Sequence, residues 1–318
     1  MNKLVRDARA FGKRAMMGKF RLWLIVEGRS HDRAFYDEVL EKYPGIDHSE
    51  YEIRLAEDFQ IDGKRAGGKH FALRLFDLWE EEGALTQIDQ DGSRSAIVMA
   101  LDHDLDSFAG TFRNSANVIY TSGMDIESEI LRSTDLKRAV RSTYSLPLSA
   151  IDSVIAEAMT SFNSLADLYR TWITLGALSA CCGHKGANRF AQISELHECG
   201  FGVVDETAEM SLIQSVIDAA ESAYSQDWIE SLEDQITDLF DRGEQWRLVK
   251  GRWLTKFIAY QVATHVNETV ERQISPSTLT KTALAYLDPT SDCFLHYFKR
   301  LDRIVKPEIE SPIPTAAA

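Results

Sequence analysis

Two short apolar runs each end on a carboxylate. Leu22-Trp23-Leu24-Ile25-Val26 leads into Glu27-Gly28, and Ile97-Val98-Met99-Ala100-Leu101 leads into Asp102-His103-Asp104-Leu105-Asp106. Runs this short and this uniformly apolar lack the alternation of a half-wet strand, so they read as strands buried on both faces. Ala34, Phe35, Val39 and Leu40 have helical spacing over His31 to Lys42, and Tyr51 to Leu55 reads as a weaker strand. Phe71, Leu75, Leu78 and Trp79 mark a second helix after Gly67-Gly68-Lys69, the buried run extends from Ser95 to Leu101, and Val118-Ile119-Tyr120 is the last strand of the series. Strand and helix in alternation predict an α/β fold, a mostly parallel sheet flanked by helices, spanning residues 21–135. Ligands of such sheets sit at the carboxyl ends of the strands, where both acidic motifs fall.

Beyond Glu127 the periodicity turns helical: Ile130 to Val140, Leu148 to Cys181, Glu206 to Tyr224, Trp228 to Phe240, Trp253 to Val270 and Asp292 to Ile304. Residues 136–306 are therefore expected to form a C-terminal all-helical domain, with Phe201-Gly202-Val203-Val204 as a short extended piece. Residues 307–318, with three prolines and a run of alanines, read as a disordered tail.

The chain carries a net charge of −14, which argues against coating nucleic acid by bulk electrostatics. Its basic charge is concentrated in residues 1–20 and just beyond, where Lys3, Arg6, Arg9, Lys13, Arg14, Lys19 and Arg21 face a single Asp7. That segment reads either as a local nucleic-acid contact or as a solvated arm. No apolar run approaches the roughly 18 residues of a membrane span, and Leu22 to Val26 is too short for a signal-peptide core, so a cytoplasmic protein without a membrane partner is expected. The four cysteines make no disulfide framework in a chain this long, and reduced thiols are the default reading. Cys181, Cys182, His184, His197 and Cys199 lack the paired knuckles of a structural zinc site.

Asp102, Asp104 and Asp106 would repel one another if all were ionised in a partly dehydrated pocket. A hard divalent cation, Mg2+ or Mn2+, removes that penalty; a solvated acidic loop is the plainer reading, and the apolar strand before it weighs toward metal. Gly28 beside Glu27 leaves room for close approach of a substrate or ion. In Tyr120-Thr121-Ser122-Gly123-Met124-Asp125-Ile126-Glu127, Thr121, Ser122 or Asp125 caps a following helix, and Glu127 is either a first-turn acid or a further ligand.

A strand ending in Glu-Gly, an aspartate-bearing turn into a helix, and a later strand ending in Asp-x-Asp resembles the Toprim domain of topoisomerases, primases and OLD-family nucleases. Val26-Glu27-Gly28 with Asp32, Phe35 and Tyr36, then Asp102-x-Asp104, then Ile126-Glu127, is most similar to the small stand-alone Toprim effectors of bacterial anti-phage systems. The resemblance covers residues 20 to 135, with Lys250-Gly251-Arg252 near a family-like position beyond it. It implies that Glu27, Asp102, Asp104 and Glu127 form a catalytic, metal-holding set, with Asp106 and Asp32 in supporting places. It implies a metal-dependent endonuclease acting as a toxin on nucleic acid, RNA and specifically tRNA before DNA. It also implies a homodimer as the active form and an ABC-type ATPase sensor as partner. Lys250 or Arg252 neutralises developing charge or simply sits at a solvated helix start.

Two other readings stand beside it. A phosphatase of the haloacid dehalogenase class also begins with a strand and Asp-x-Asp, but Leu105-Asp106 departs from its usual continuation and Glu27 would have no role. A non-catalytic Toprim-fold binding subunit of an ATPase complex fits the same motifs. The chain itself offers no phosphate-binding loop, because Gly67-Gly68-Lys69 lacks the spacing and the following Ser or Thr.

Overall fold

The computed structural model describes residues 5–28, 31–90, 93–159, 161–182, 206–265 and 276–306. Contacts divide the chain into two compact units, one of residues 1–101, 114–120 and 289–318, the other of residues 102–113 and 121–288.

The first unit begins with a two-residue strand, β1 (Arg6–Asp7), and a helix, α1 (Ala8–Ala15), followed by β2 (Leu22–Val26), α2 (Asp32–Lys42) and β3 (Tyr51–Leu55). Two short strands, β4 (Phe59–Ile61) and β5 (Lys64–Arg65), precede α3 (Lys69–Glu81), and β6 (Thr86–Ile88), β7 (Arg94–Leu101) and β8 (Val118–Tyr120) follow. The main sheet runs β3-β2-β7, all parallel, with β2 buried at every position as its uniform apolarity requires. β7 is long enough to share its other edge between two strands. Its first half pairs antiparallel with β6 (Thr86↔Ala96) and its second half parallel with β8 (Leu101↔Tyr120). The unit is thus α/β with a mixed sheet, and β6 is the antiparallel strand that the apolar pattern did not announce.

Successive side chains of a strand point to opposite faces. Trp23, Ile25, Ile97 and Met99 accordingly join one core with α1 and α3, in which Phe11 packs edge-on to Trp23 and Phe59 at 4.9 and 4.8 Å. The indole of Trp79 in α3 donates to the Ala8 carbonyl at 2.8 Å. The N-terminal segment is therefore an integral layer of this unit and not a loose arm. Ala8, Phe11 and Ala15 point inward at helical spacing, and Arg9, Lys13 and Arg14 stay on the exposed side. The C-terminal helix Asp292–Val305 also belongs here: Phe35 and Tyr36 of α2 each meet Tyr297 at 5.5 Å, and the Tyr43 hydroxyl donates to Asp302 at 2.7 Å.

Among its described residues the second unit is helical apart from its loops and an isolated bridge between Thr134 and Leu287. It comprises α4 (Asp106–Ala109), α5 (Ile126–Arg132), α6 (Leu136–Tyr144), α7 (Leu148–Met159), α8 (Ser161–Leu168), α9 (Arg170–Cys181), α10 (Glu206–Ala223), α11 (Gln226–Asp241), α12 (Gly251–His265) and α13 (Pro276–Ala283). The single helix expected over Ile130 to Val140 is two, because Ser133 closes α5 and the Asp135 carboxylate accepts the Arg138 amide at 3.1 Å to open α6. The stretch from Leu148 to Cys181 is three helices. Tyr169, with non-helical backbone, turns the last of them so that its ring packs on Trp253 at 5.6 Å.

The units divide the chain elsewhere than a cut at 135/136. Residues 102–113 and 121–135 group with the helices, and the last helix groups with the sheet. Residues 201–204, the tail 307–318, and His184, His197 and Cys199 lie outside the described residues. Among the described residues no helix is long and apolar enough to cross a membrane.

Phe11 lies at the centre of its aromatic cluster, so Phe11→Ala is expected to cost about 3–5 kcal/mol in urea denaturation. An arm detached from the core would leave stability within about 0.5 kcal/mol.

Candidate functional site

Three neighbouring parallel strands deliver the acidic segments. β2 ends at Val26, in register with Ala100 of β7, and β7 ends at Leu101, in register with Tyr120 of β8. The residues next in the chain are Glu27, Asp102 and Thr121.

In the first unit the turn after β2 is held by Asp32, the first residue of α2. Its carboxylate accepts the Gly28 amide at 2.8 Å, and a Cβ on Gly28 would lie 2.6 Å from the same carboxylate. A side chain at position 28 would therefore displace the carboxylate that closes the turn. Asp32 is buried, and that burial raises its pKa, opposed by the backbone donors it accepts from. Its place is that of a turn anchor.

In the second unit the loop carrying Asp102 and Asp104 is stitched to the loop before α5. The His103 amide donates to Thr121 Oγ1 and the Asp104 amide to the Met124 carbonyl, both at 2.8 Å; the Ile126 amide donates to Asp102 Oδ1 at 2.9 Å. Asp104 sits at φ +45°, in the left-handed region that costs a non-glycine residue about 1–2 kcal/mol, though aspartate tolerates it better than most. The hydrogen bond at its own amide holds it there.

Of the three candidate caps for α5, Asp125 is the one used. Its Oδ1 accepts from Ser128 N and from Gly251 N, each at 2.9 Å, so one carboxylate joins the N-termini of α5 and α12. Asp125 is 6% exposed; burial raises its pKa and the Asp104 charge adds to that, while Lys250 and the two amide donors pull the other way. Gly251 makes the junction possible, since a Cβ there would stand 2.3 Å from the Glu127 carbonyl carbon and from the Ser128 nitrogen. Thr121 and Ser122 are occupied differently: Thr121 donates to the Gly123 carbonyl at 2.8 Å, and Ser122 to Glu129 at 2.8 Å.

Lys250, one residue before α12, brings its ammonium to Asp104 Oδ1 at 3.2 Å, with 21% of the lysine side chain exposed. The solvated helix start belongs instead to Arg252, which is exposed. Arg247 Nε donates to the Ser122 carbonyl at 3.2 Å, and His103, Phe108, Leu239, Arg242 and Arg247 line a cavity of about 280 Å³ beside this loop. The segment from 247 to 251 therefore supplies two cations and a close-packed glycine to the acidic loops, a role that no motif in the helical half revealed beyond Lys250-Gly251 itself. Glu129, fully buried and accepting from Ser122 and the Gly123 amide, is the other residue that sequence reasoning passed over. Its spacing four residues after the cap is the signal that was there to read.

Glu127 lies in the first turn of α5, where the helix dipole favours a carboxylate. Asp106 opens the single turn α4, and its side chain lies outside what is described. Among the described residues no group of three or more His, Cys, Asp or Glu side chains is gathered closely enough to hold a metal ion. The donor set has the hard-oxygen chemistry of a Mg2+ or Mn2+ site, with its described members not drawn in about one point. Asp102 is turned to a backbone amide and Asp104 to an ammonium.

No family model matches the chain, and a comparison with curated proteins finds no relative.

Asp125→Ala removes a cap and leaves two amides without their acceptor, and is expected to destabilise the protein by about 3 kcal/mol in chemical denaturation. Asp125→Asn keeps the accepting oxygen and sheds the buried charge, so it should lose less than about 1 kcal/mol. Equal losses in the two variants would show that the bridging hydrogen bonds are not what holds this junction.

Proposed function

We propose that the chain is a Toprim-type endonuclease, a hydrolase of phosphodiester bonds in nucleic acid. The observation that carries this reading is topological: three adjacent parallel strands end immediately before Glu27, before Asp102-x-Asp104, and before the loop that leads to Glu127. Carboxyl ends of parallel strands are where α/β folds place their chemistry. The strained backbone of Asp104 adds to it, because such strain is retained where a side chain has to be aimed.

In this reading Glu27, Asp102, Asp104 and Glu127 are the acids of the reaction, with Glu27 the base that draws a proton from the attacking water. Lys250, already beside Asp104, offers positive charge to a phosphate oxygen as negative charge builds on it. Mg2+ or Mn2+ is implied by the resemblance and by the hard-oxygen chemistry of the aspartate cluster. The resemblance to the AriB effectors of the PARIS anti-phage system extends the proposal to a defence toxin that cuts RNA such as tRNA, active as a homodimer in the cytoplasm and restrained by an ABC-type ATPase sensor. A second reading, a non-catalytic binding subunit of such an ATPase complex, fits the same motifs, with Asp102 and Asp104 already engaged by the Ile126 amide and the Lys250 ammonium.

The two readings part on activity. Induced with and without its sensor, the wild type is expected to leave cut RNA, whereas Glu27→Ala and Asp102→Asn should lower cleavage at least about 100-fold, the usual weight of a general base. Equal cleavage by all three proteins removes the catalytic assignment, and binding to the sensor without cleavage by any of them favours the binding subunit. Purified protein should also lose cleavage in EDTA and regain it with Mg2+ or Mn2+; retention in EDTA excludes the metal. Asp104→Gly separates function from folding: relief of the strained φ offsets loss of the Lys250 pair, so stability should stay within about 1 kcal/mol while cleavage is lost.

A further inference from the structure

The second unit holds a cavity of about 770 Å³, well within the range of ligand sites, at the far end of α5 from the acids. Its walls come from the α5–α6 junction, from α7 and α8, and from Trp246. The Arg132 guanidinium lies over the Trp246 ring, 3.2 Å from its centroid, and Phe162 lines the same space, half-buried. Thr134, Lys137 and Asn163 bring polar groups to it. Lys137 is paired with Asp152 at the exposed rim, and Asp135, the acid among the described lining residues, has a carboxylate oxygen on the Arg138 amide as the cap of α6.

We infer that this cavity is a subsite for single-stranded nucleic acid, taking one unpaired base together with its phosphate. The inference rests on the nuclease reading and names the form of its substrate. Unpaired bases are held by stacking on aromatic rings and on arginine planes, and Arg132 on Trp246 with Phe162 nearby presents both in one space. A chain with a net charge of −14 gains little from general attraction, so a local pocket that combines stacking with the Arg132 and Lys137 cations suits it. Glu127 and Arg132 stand on the same helix, one in its first turn and one at its last residue, so the rise between them is roughly 7.5 Å while their side chains leave the axis roughly 140° apart. Trp246 ties the two ends together, since its ring comes within 3.5 Å of where a Cβ on Gly123 would stand, in the loop just before α5.

The test is fluorescence anisotropy of the full-length protein with a short fluorescein-labelled single-stranded RNA, in EDTA so that nothing is cut. Arg132→Met and Phe162→Ala are each expected to weaken binding about tenfold, the loss of one stack. Arg141→Met, which removes an exposed cation outside the cavity, should leave it unchanged. Affinity should fall only shallowly with salt, as for one or two phosphate contacts at about one log unit each. Arg132→Met guards against a folding defect in Phe162→Ala, and thermal melts of both accompany the titrations. The inference is overturned if the wild type binds no strand, if both pocket variants bind like Arg141→Met, or if free AMP binds with the same dependence on Arg132 while the oligonucleotide does not. RNA bound through the pocket by a protein that cuts nothing with Mg2+ or Mn2+ would end the nuclease reading and leave the subsite standing. Cleavage that depends on Glu27 but is indifferent to Arg132 and Phe162 would do the reverse.

Discussion

One buried carboxylate organises the helical unit. Asp125 accepts amides from the first turns of two helices, and these donors with the nearby Lys250 ammonium oppose the burial that raises its pKa. The position of each partner follows from that bond. α12 can begin there only with a glycine, Lys250 is then carried to Asp104, and the loop of Asp102 and Asp104 is fixed against the start of α5 through Ile126 and Met124. Residues more than a hundred positions apart in the chain are brought into one hydrogen-bonded group by a single aspartate.

In the sheet the corresponding constraint is the length of β7. A strand of eight residues gives its first half to an antiparallel neighbour and its second half to a parallel one, so the edge is closed by two short strands instead of one long one. That arrangement brings the end of β8 level with the end of β7. It also explains what the sequence showed and what it hid. β2 and β7 were legible because continuous apolar runs have no other good reading, and β3 because Tyr51, Ile53 and Leu55 alternate with polar residues. β6, with Thr86 and Gln87 and an exposed Ile88, has almost no burial to advertise, and its pairing comes from β7's spare hydrogen-bonding groups. α1 was masked by its charges: the four of its eight residues that point inward are small or aromatic, yet the basic residues dominate the eye.

Within the acidic loops, the residues were easier to find than their partners. Asp102, Asp104 and Glu127 stand out because carboxylates after apolar strands are conspicuous. Nothing local says that Asp104 adopts a positive φ, that Glu129 is buried beneath the loop, or that the cation facing Asp104 comes from residue 250. These are long-range facts, settled by packing of a second set of helices. The helix boundaries failed for the opposite reason: Ser133 and Asp135 end and restart a helix through hydrogen bonds of their own, while the apolar spacing continues across them undisturbed.

The balance of charge in these loops bears on how they are held. Carboxylates that depend on an ion for their placement repel one another when it is removed, and their loop loosens. Here Asp102 has a backbone amide, Asp104 an ammonium and a fixed backbone, and Asp125 two amides. Each acid is positioned by the protein's own donors, so the loop keeps its shape by itself and is preorganised before any ligand arrives. Preorganisation of this kind is what lets a site favour charge that develops during a reaction, because the donors and cations need not move to meet it. The same network gives Lys250 a fixed place: held one residue before α12, its ammonium steadies Asp104.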